Sequence, residues 1–477
     1  MRGTITLVAI VLLLAGLVAH EDTDSWTVAE RMADAVRAWD DRDPTLAVER
    51  AGSVPEVRVT AGTATLRDVA AAFARAGFAR SLAAHGGTWT LTGMIVIGDG
   101  ATLSIRDTRV RMAGTAGLHA SGGRLALRRV AVTGWDSTRR APDTALHDGR
   151  AWVLASDGGV ITADDTRLSH LGNDARHRWG VTVAGERSRA RITESSLTAN
   201  YDGLHVTGAG FAHVESTRVR GALRHGVVDT GGRRLIVDGA NIVGSAAHGV
   251  LVEGGSHTRI SNSAIHVNRG AGVVVRRAGP GVEITGNNIY RNPSAGIVVL
   301  DVRDMTMRGN LIHTSDVGIA VRGASSTVTI DDNRVASNRT DGVWISEASR
   351  NVTVTSNRID FNNEAAIAVK TGTARVTGNL LTQNFDGVRL ETPPYLTVRG
   401  EISENTITGN VQDGVDLPAS ASLPVVGNLI AGNREGGLSV VAGGDAEPAI
   451  ARNDVRDNGR GAERVRETDV AEAGGRR

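Results

Sequence analysis

The chain has 477 residues, of which 41% are apolar and only 3% aromatic, while 59 are Gly. Such a core holds little aromatic bulk and has to be assembled from many thin aliphatic layers. The formal charge of +1 excludes a polybasic nucleic-acid binder and an acidic solvating protein, and zero Cys excludes disulfides, thiol catalysis and thiolate metal sites.

Arg2 precedes an apolar run from Ile5 to Ala19, and Glu21, Asp22 and Asp24 follow at once. A basic start, a short apolar run and a polar exit read as a signal peptide or an uncleaved anchor over residues 1–20. The rest is then expected outside the cytoplasm, secreted or in the periplasm or cell envelope, with membrane contact through that anchor alone. Residues 21–85 read as an N-terminal helical cap region. Helical periodicity runs over Trp26–Trp39 and again over Leu66–Ala84, where Thr65 and Asp68 form a capping box.

Residues 86–458 carry one repeat. A Gly followed by alternating apolar residues recurs from Gly180 to Gly437 at spacings of 21 to 27, with Ala366 filling one gap. Positions one and three after it are apolar, as in Val250 and Val252 or Ile297 and Val299, and the residue between them varies (His205, Trp344, Arg389). That is a strand with one buried face. A second landmark keeps step: Asn pairs five apart, from Asn287 with Asn292 to Asn453 with Asn458, with Ser195–Asn200 and Ser263–Asn268 as weaker copies. Asn tolerates left-handed backbone, and one Asn per turn stacks into an internal amide ladder.

Units of about 23 residues leave no room for a crossover helix, so successive units pair as parallel strands about 4.8 Å apart. The fold class expected is all-β: a right-handed parallel β-helix, a solenoid, with a helical N-terminal cap. Residues 459–477, charged and Gly-rich, read as a disordered tail.

Chemistry is sought where the repeat breaks. Position three after Gly226 is Asp229, where an apolar residue is the rule, so either a basic group pairs with it or a bulge turns it outward. Ionisable groups crowd the same turns: Tyr201, Asp202, His205, Arg224, His225, His248 and Arg276. Asp202, like Asp341, Asp386 and Asp413, precedes a landmark Gly and so also reads as an ordinary corner residue, and His225 and His248 occupy successive copies of one position. Taken as a groove, the cluster offers His205 and His225 as bases, Asp229 and Tyr201 as further catalytic groups, and Arg224, Arg276, Asp202 and His248 for substrate binding. Guanidinium groups favour an anionic ligand. No cofactor fingerprint or metal-ligand spacing stands out, and the calcium-binding nonapeptide repeat is missing.

Several segments carry a resemblance. Ala151-Trp-Val-Leu-Ala155, then His170-Leu-Gly-Asn-Asp-Ala175 and Trp179-Gly-Val-Thr-Val183, together with Gly86–Ile105 and Val132–Asp136, resemble the periplasmic mannuronan C5-epimerases of alginate biosynthesis over roughly residues 65–384. That family carries Tyr-Gly-(Ile/Phe)-Asp-Pro-His with the His as base. The corresponding strand here is His225-Gly-Val-Val-Asp229-Thr-Gly, without Pro-His, and Glu253 and Gly254 stand where the family has a downstream Arg.

The resemblance implies an epimerase or lyase removing the C5 proton of an anionic, uronate-containing polysaccharide. In that reading Arg224 or Arg276 neutralises the substrate carboxylate, His205 or His225 takes the proton, and Tyr201 returns one from the opposite face. The competing expectations are a non-catalytic glycan-binding β-helix and an accessory protein of the NosD type; zero Cys and six scattered Met argue against soft-metal handling.

Overall fold

The computed structural model describes residues 43–466 except 52–53, 148, 347, 392–398, 420, 422, 442–447 and 462. The signal or anchor segment and the helix expected over Trp26–Trp39 lie outside the described residues. Thr45–Ala51 pairs antiparallel with Val54–Ala61, which pairs parallel with Met94–Ile97. The coil's first sheet therefore begins inside the region expected to be a helical cap. Val57 and Val59 alternate there without a landmark Gly, which hid the strand from the repeat.

Helix α1 spans Leu66–Arg75. The Asp68 carboxylate accepts bonds from the Thr65 N–H at 2.8 Å and its hydroxyl at 2.7 Å. Leu66, Val69, Ala72 and Phe73 are buried in the same core as the first strands. The helix stops nine residues short of Ala84. Gly77 takes positive φ just after it, and Leu82–His85 is a strand antiparallel to Thr88–Leu91.

One sheet of 18 strands supplies one wall of the coil, and a second sheet supplies the rest. Beyond Trp152–Ser156 every pairing in the first sheet is parallel, out to Glu463–Arg466, which extends into the expected tail. Residues 467–477 lie outside the described residues. Inward positions form continuous apolar columns, such as Leu204, Val227, Val250, Val273 and Ile297, all fully buried. Each such aliphatic side chain contributes about 1.5–3 kcal/mol.

The landmark Gly has a steric cause. A Cβ on Gly272 would lie 2.5 Å from Ile289 Cγ2 and 2.7 Å from the Gly296 carbonyl oxygen. A β-branched residue faces the landmark Gly from Gly203 to Gly414 in the same way, for example Ile242 at Gly226 and Ile359 at Gly342. At the exceptional Ala366 the residue in that register is Leu381, flanked by Ile359 and Ile407. Leu has no β-branch, so a methyl fits.

The Asn ladder is present. Asn333 Oδ1 accepts the Asn310 backbone N–H at 3.0 Å and its side-chain amide at 2.9 Å, and Asn333 donates onward to Asn357 Oδ1 at 3.0 Å. In the earlier turns hydroxyls substitute, as where the Ser195 N–H bonds Thr217 Oγ1 at 3.3 Å. One expectation is corrected: the ladder Asn do not take left-handed backbone. The preceding residue does, as at Asp332, Ser356 and Ser337. A single positive-φ residue makes the bend that turns the next side chain inward.

Candidate active site

The outward side chains of the first sheet form their own column, in which His119, Leu154, Thr182, His205, Val228, Leu251, Val274 and Val298 follow in register. Val228, Leu251 and Val274 pack with Ala271 and Ala295 into a small apolar cluster on this outer face. His205 stands where that floor turns polar, next to a register shift opposite Gly180 and Val181.

Asp202 and His205 are both buried. Asp202 Oδ2 lies 2.8 Å from His205 Nδ1, and Oδ1 accepts from Arg224 Nε at 2.9 Å. Arg224 Nη2 also donates to Oδ2, closing a bidentate pair. Burial disfavours the ionised carboxylate, but the hydrogen bonds from His205 and Arg224 outweigh it and hold Asp202 below the usual carboxylate range. The ionised Asp202 therefore accepts the Nδ1–H of His205 and leaves Nε2 as the acceptor. Burial pushes the His205 pKa down against the pull of Asp202, so the ring is neutral near pH 7.

Two partners of His205 escaped the sequence reading as site residues. Thr230 Oγ1 lies 2.8 Å from His205 Nε2, and the Trp179 ring stacks on the imidazole with centroids 3.9 Å apart. Trp179 and the half-exposed Thr230 cover a His205 that is only 3% exposed. Their signal was positional: Trp179 lies 23 residues before Asp202, and Thr230 lies 23 after Thr207 in the next rung.

Asp202 is also the corner residue that its position suggested. Its Oδ1 accepts the His225 N–H at 3.2 Å, as Asp341 accepts the Ala365 N–H and Asp413 the Gly436 N–H, each at about one rung's distance. His225 and His248 occupy the same column and stack at 5.2 Å. His225 Nδ1 accepts the His248 N–H at 3.2 Å, and His248 Nδ1 accepts the Ala271 N–H at 3.0 Å. Each neutral ring thus carries its proton on Nε2 and presents a donor. Burial pushes the pKa of His225 down to about 4.

Asp229 shares the adjoining rung with His205 but points inward, in register with Val206 and Val252. It is fully buried, with neither the basic partner nor the outward bulge expected for it. The Gly232 N–H donates to it at 2.6 Å and the Thr258 hydroxyl at 3.1 Å. A Cβ at Gly232 or Gly255 would strike its carboxylate, so two Gly make the room it occupies. Arg276 stands two rungs beyond Thr230 in the same strand-end column, held by Glu253 at 2.6 Å, with Arg277 on the same carboxylate. Tyr201 stays with the cluster, its ring 5.0 Å from the Arg224 guanidinium carbon. The structure thus brings Tyr201, Asp202, His205 and Arg224 together with Trp179 and Thr230, sets His225 and His248 alongside, places Arg276 two rungs along from Thr230 in a pair with Glu253, and turns Asp229 inward. Among the described residues, no group of three His, Asp or Glu is placed to hold a metal ion.

Residues 202–316 and 248–400 match the family model described as the right handed beta helix region. No curated protein matches the sequence. Among solved structures, a double mutant of the periplasmic alginate epimerase AlgG shares 14% identity, covering 90% of this chain and 94% of its own, with a TM-score of 0.50. The Azotobacter vinelandii mannuronan C-5 epimerase AlgE6 A-module shares 14% identity over 83% of this chain and 98% of its own, with a TM-score of 0.46. DFA-IIIase from Arthrobacter chlorophenolicus A6 shares 15% identity over 68% and 85%, with a TM-score of 0.36. At these identities the likeness is one of fold. The chain is a right-handed parallel β-helix that resembles the periplasmic alginate epimerase in fold.

Proposed function

We propose that this β-helix modifies an anionic, uronate-containing polysaccharide lying along the outer face of the first sheet, by removing the proton at C5. The observation that carries the reading is the hydrogen-bonded line Asp202–His205–Thr230, with Arg224 beside it. Thr230 oxygen takes the C5 proton as its own proton passes to His205 Nε2. The imidazolium so formed is stabilised by Asp202, which keeps its negative charge. Charge developing on the sugar carboxylate falls to Arg224, whose Nη1 is not used in the pair with Asp202. Return of a proton from the other face by Tyr201 gives epimerisation, and loss of the glycosidic oxygen gives a lyase. Acyl transfer at Thr230 is disfavoured, because the adjacent Gly231 and Gly232 N–H groups are bonded to Glu253 O and Asp229 and form no oxyanion hole.

Incubating the protein with polymannuronate in heavy water, followed by proton NMR, tests the reading. Deuterium at C5 is expected from the epimerase outcome and unsaturated chain ends from the lyase. His205→Ala and Thr230→Val should remove either signal by at least about 100-fold, with Thr230→Ser restoring it. Exchange that survives His205→Ala sinks the assignment. A second reading, a non-catalytic glycan-binding β-helix, draws on the burial of His205 beneath Trp179; it predicts binding with neither signal across a panel of uronate polymers.

A further inference from the structure

Several charged side chains on the coil's surface are paired across one rung: Arg191 with Glu215, Arg259 with Glu283, Arg308 with Asp331, Arg375 with Glu401. One groove gathers five arginines around a single carboxylate. It encloses about 610 Å³ and is lined by Arg187, Arg189, Arg233, Arg234 and Arg259, with Phe211 in its wall. Glu283 is its one carboxylate and is taken by Arg259 at 3.0 Å. Among the described residues, Arg187, Arg233 and Arg234 have no carboxylate partner. Like charges gathered on neighbouring rungs repel, so the arrangement favours an anion.

The groove lies on the second sheet, round a corner from His205. Arg189, Phe211 and Arg234 follow in register on successive rungs, so the backbones that carry the two Arg stand about 10 Å apart along the axis. A linear polymer carrying acidic groups along its length can reach both Arg side chains. Phe211 is half-buried in register between two Arg, which leaves no open aromatic platform for a nucleobase. The corner between the two surfaces is low. Only Gly231 and Gly232 separate Thr230 from Arg233, and Gly208 and Gly254 occupy the neighbouring corners. A Cβ on Gly231 would meet nothing within 4 Å, so the corner is an open saddle.

We infer that the arginine groove is an anchoring site for an acidic polysaccharide, holding by its carboxylates a stretch of chain that does not react. That the chain is the same polymer served by the His205 groove rests on the preceding reading; the anion preference does not. The experiment is calorimetric titration of the full chain with polymannuronate oligomers, with neutral mannan oligomers and a short DNA duplex as comparators. Wild type should bind polymannuronate in preference to both, more weakly as salt rises. Arg187→Ser/Arg233→Ser/Arg234→Ser should weaken binding about tenfold or more. The corresponding triple Lys variant keeps the charges and should stay within a few-fold of wild type. Undiminished binding by the Ser variant, equal affinity for neutral mannan, or preference for DNA overturns the proposal. Solvent exchange at C5, read on the same samples, separates the two ideas. Exchange with arginine-independent binding sinks only the anchor, and arginine-dependent binding without exchange sinks only the catalytic reading.

Discussion

Replacing Asp229 with Asn keeps the shape of the side chain and removes its charge. Burial inside the coil pushes this carboxyl up to about 6, against the bonds from Gly232 and Thr258. The folded-state pKa lies above the unfolded value near 3.9, so the group favours folding below that value, and this advantage is lost as pH rises through about 6. A rise of about two units corresponds to ~3 kcal/mol withheld from the folded state at pH 7.5. The carboxamide oxygen introduced by Asp229→Asn would still accept the Gly232 N–H, and its nitrogen would donate to the Thr258 hydroxyl. Asp229→Asn should therefore be more stable than wild type by ~2–3 kcal/mol at pH 7.5 and nearly equal to it at pH 4. Urea unfolding of both proteins at several pH values measures the difference and cancels contributions from other titrating groups. Catalytic turnover, where present, should persist, because the carboxylate faces away from the groove. A variant less stable than wild type at pH 7.5, or a difference that does not change with pH, would show that the buried carboxylate is not the costly group described.

Two further predictions concern the coil. Gly272→Ala should destabilise by ~1–3 kcal/mol through the clash with Ile289, and Ile289→Leu should recover part of that loss in the double variant, copying the natural pair Ala366 and Leu381; additive losses in a double-mutant cycle contradict the steric account. Arg389 is gripped by Glu391 at 2.6 Å, Glu364 at 2.8 Å, Asp341 at 3.3 Å and Asp386 at 3.5 Å. Burial already lifts Asp341 to about 6, with Arg389 opposing. Arg389→Met should cost ~3 kcal/mol at pH 8 and clearly less at pH 5, where the released carboxyls bind protons; an equal loss at both values, read from urea unfolding, contradicts it.

The coil was legible because its constraints repeat. The Gly forced by Ile289 and its equivalents, and the Asn forced by an orphan amide on the turn before, recur at fixed intervals, and a short period exposes them. Asn310 passed unnoticed because its five-residue partner is Ser315, although both stand in the ladder columns. The site was half legible. His205, Asp202 and Arg224 announce themselves by type, and the repeat length places them on adjoining rungs. Thr230 did not, since a Thr at a strand end carries no chemical flag until the register sets it beside His205 Nε2. Asp229 was conspicuous for the wrong reason. A carboxylate in an apolar column suggested chemistry, but the Gly at 232 and 255 had already made room for it indoors. Helix α1 was read too long because Ala-rich periodicity continues past Gly77, where the chain has turned.

The amide ladder also gives the coil a head and a tail. Backbone N–H groups in these walls bond both forward and backward, as when the Gly203 N–H reaches forward to His225 O and the Arg224 N–H reaches back to Tyr201 O, so their dipoles largely cancel. The Asn side chains do not cancel. From Asn268 to Asn458 in one column and from Asn287 to Asn453 in the other, the amides between neighbouring Asn donate toward the C-terminal rungs. One unbroken file of amide dipoles, and a second interrupted at Ser315, therefore run along that half of the molecule with their positive ends directed at the C-terminal mouth, as peptide dipoles sum along an α-helix. A barrel of nearly neutral charge thus carries an axial field of its own, strongest where the last rungs meet solvent.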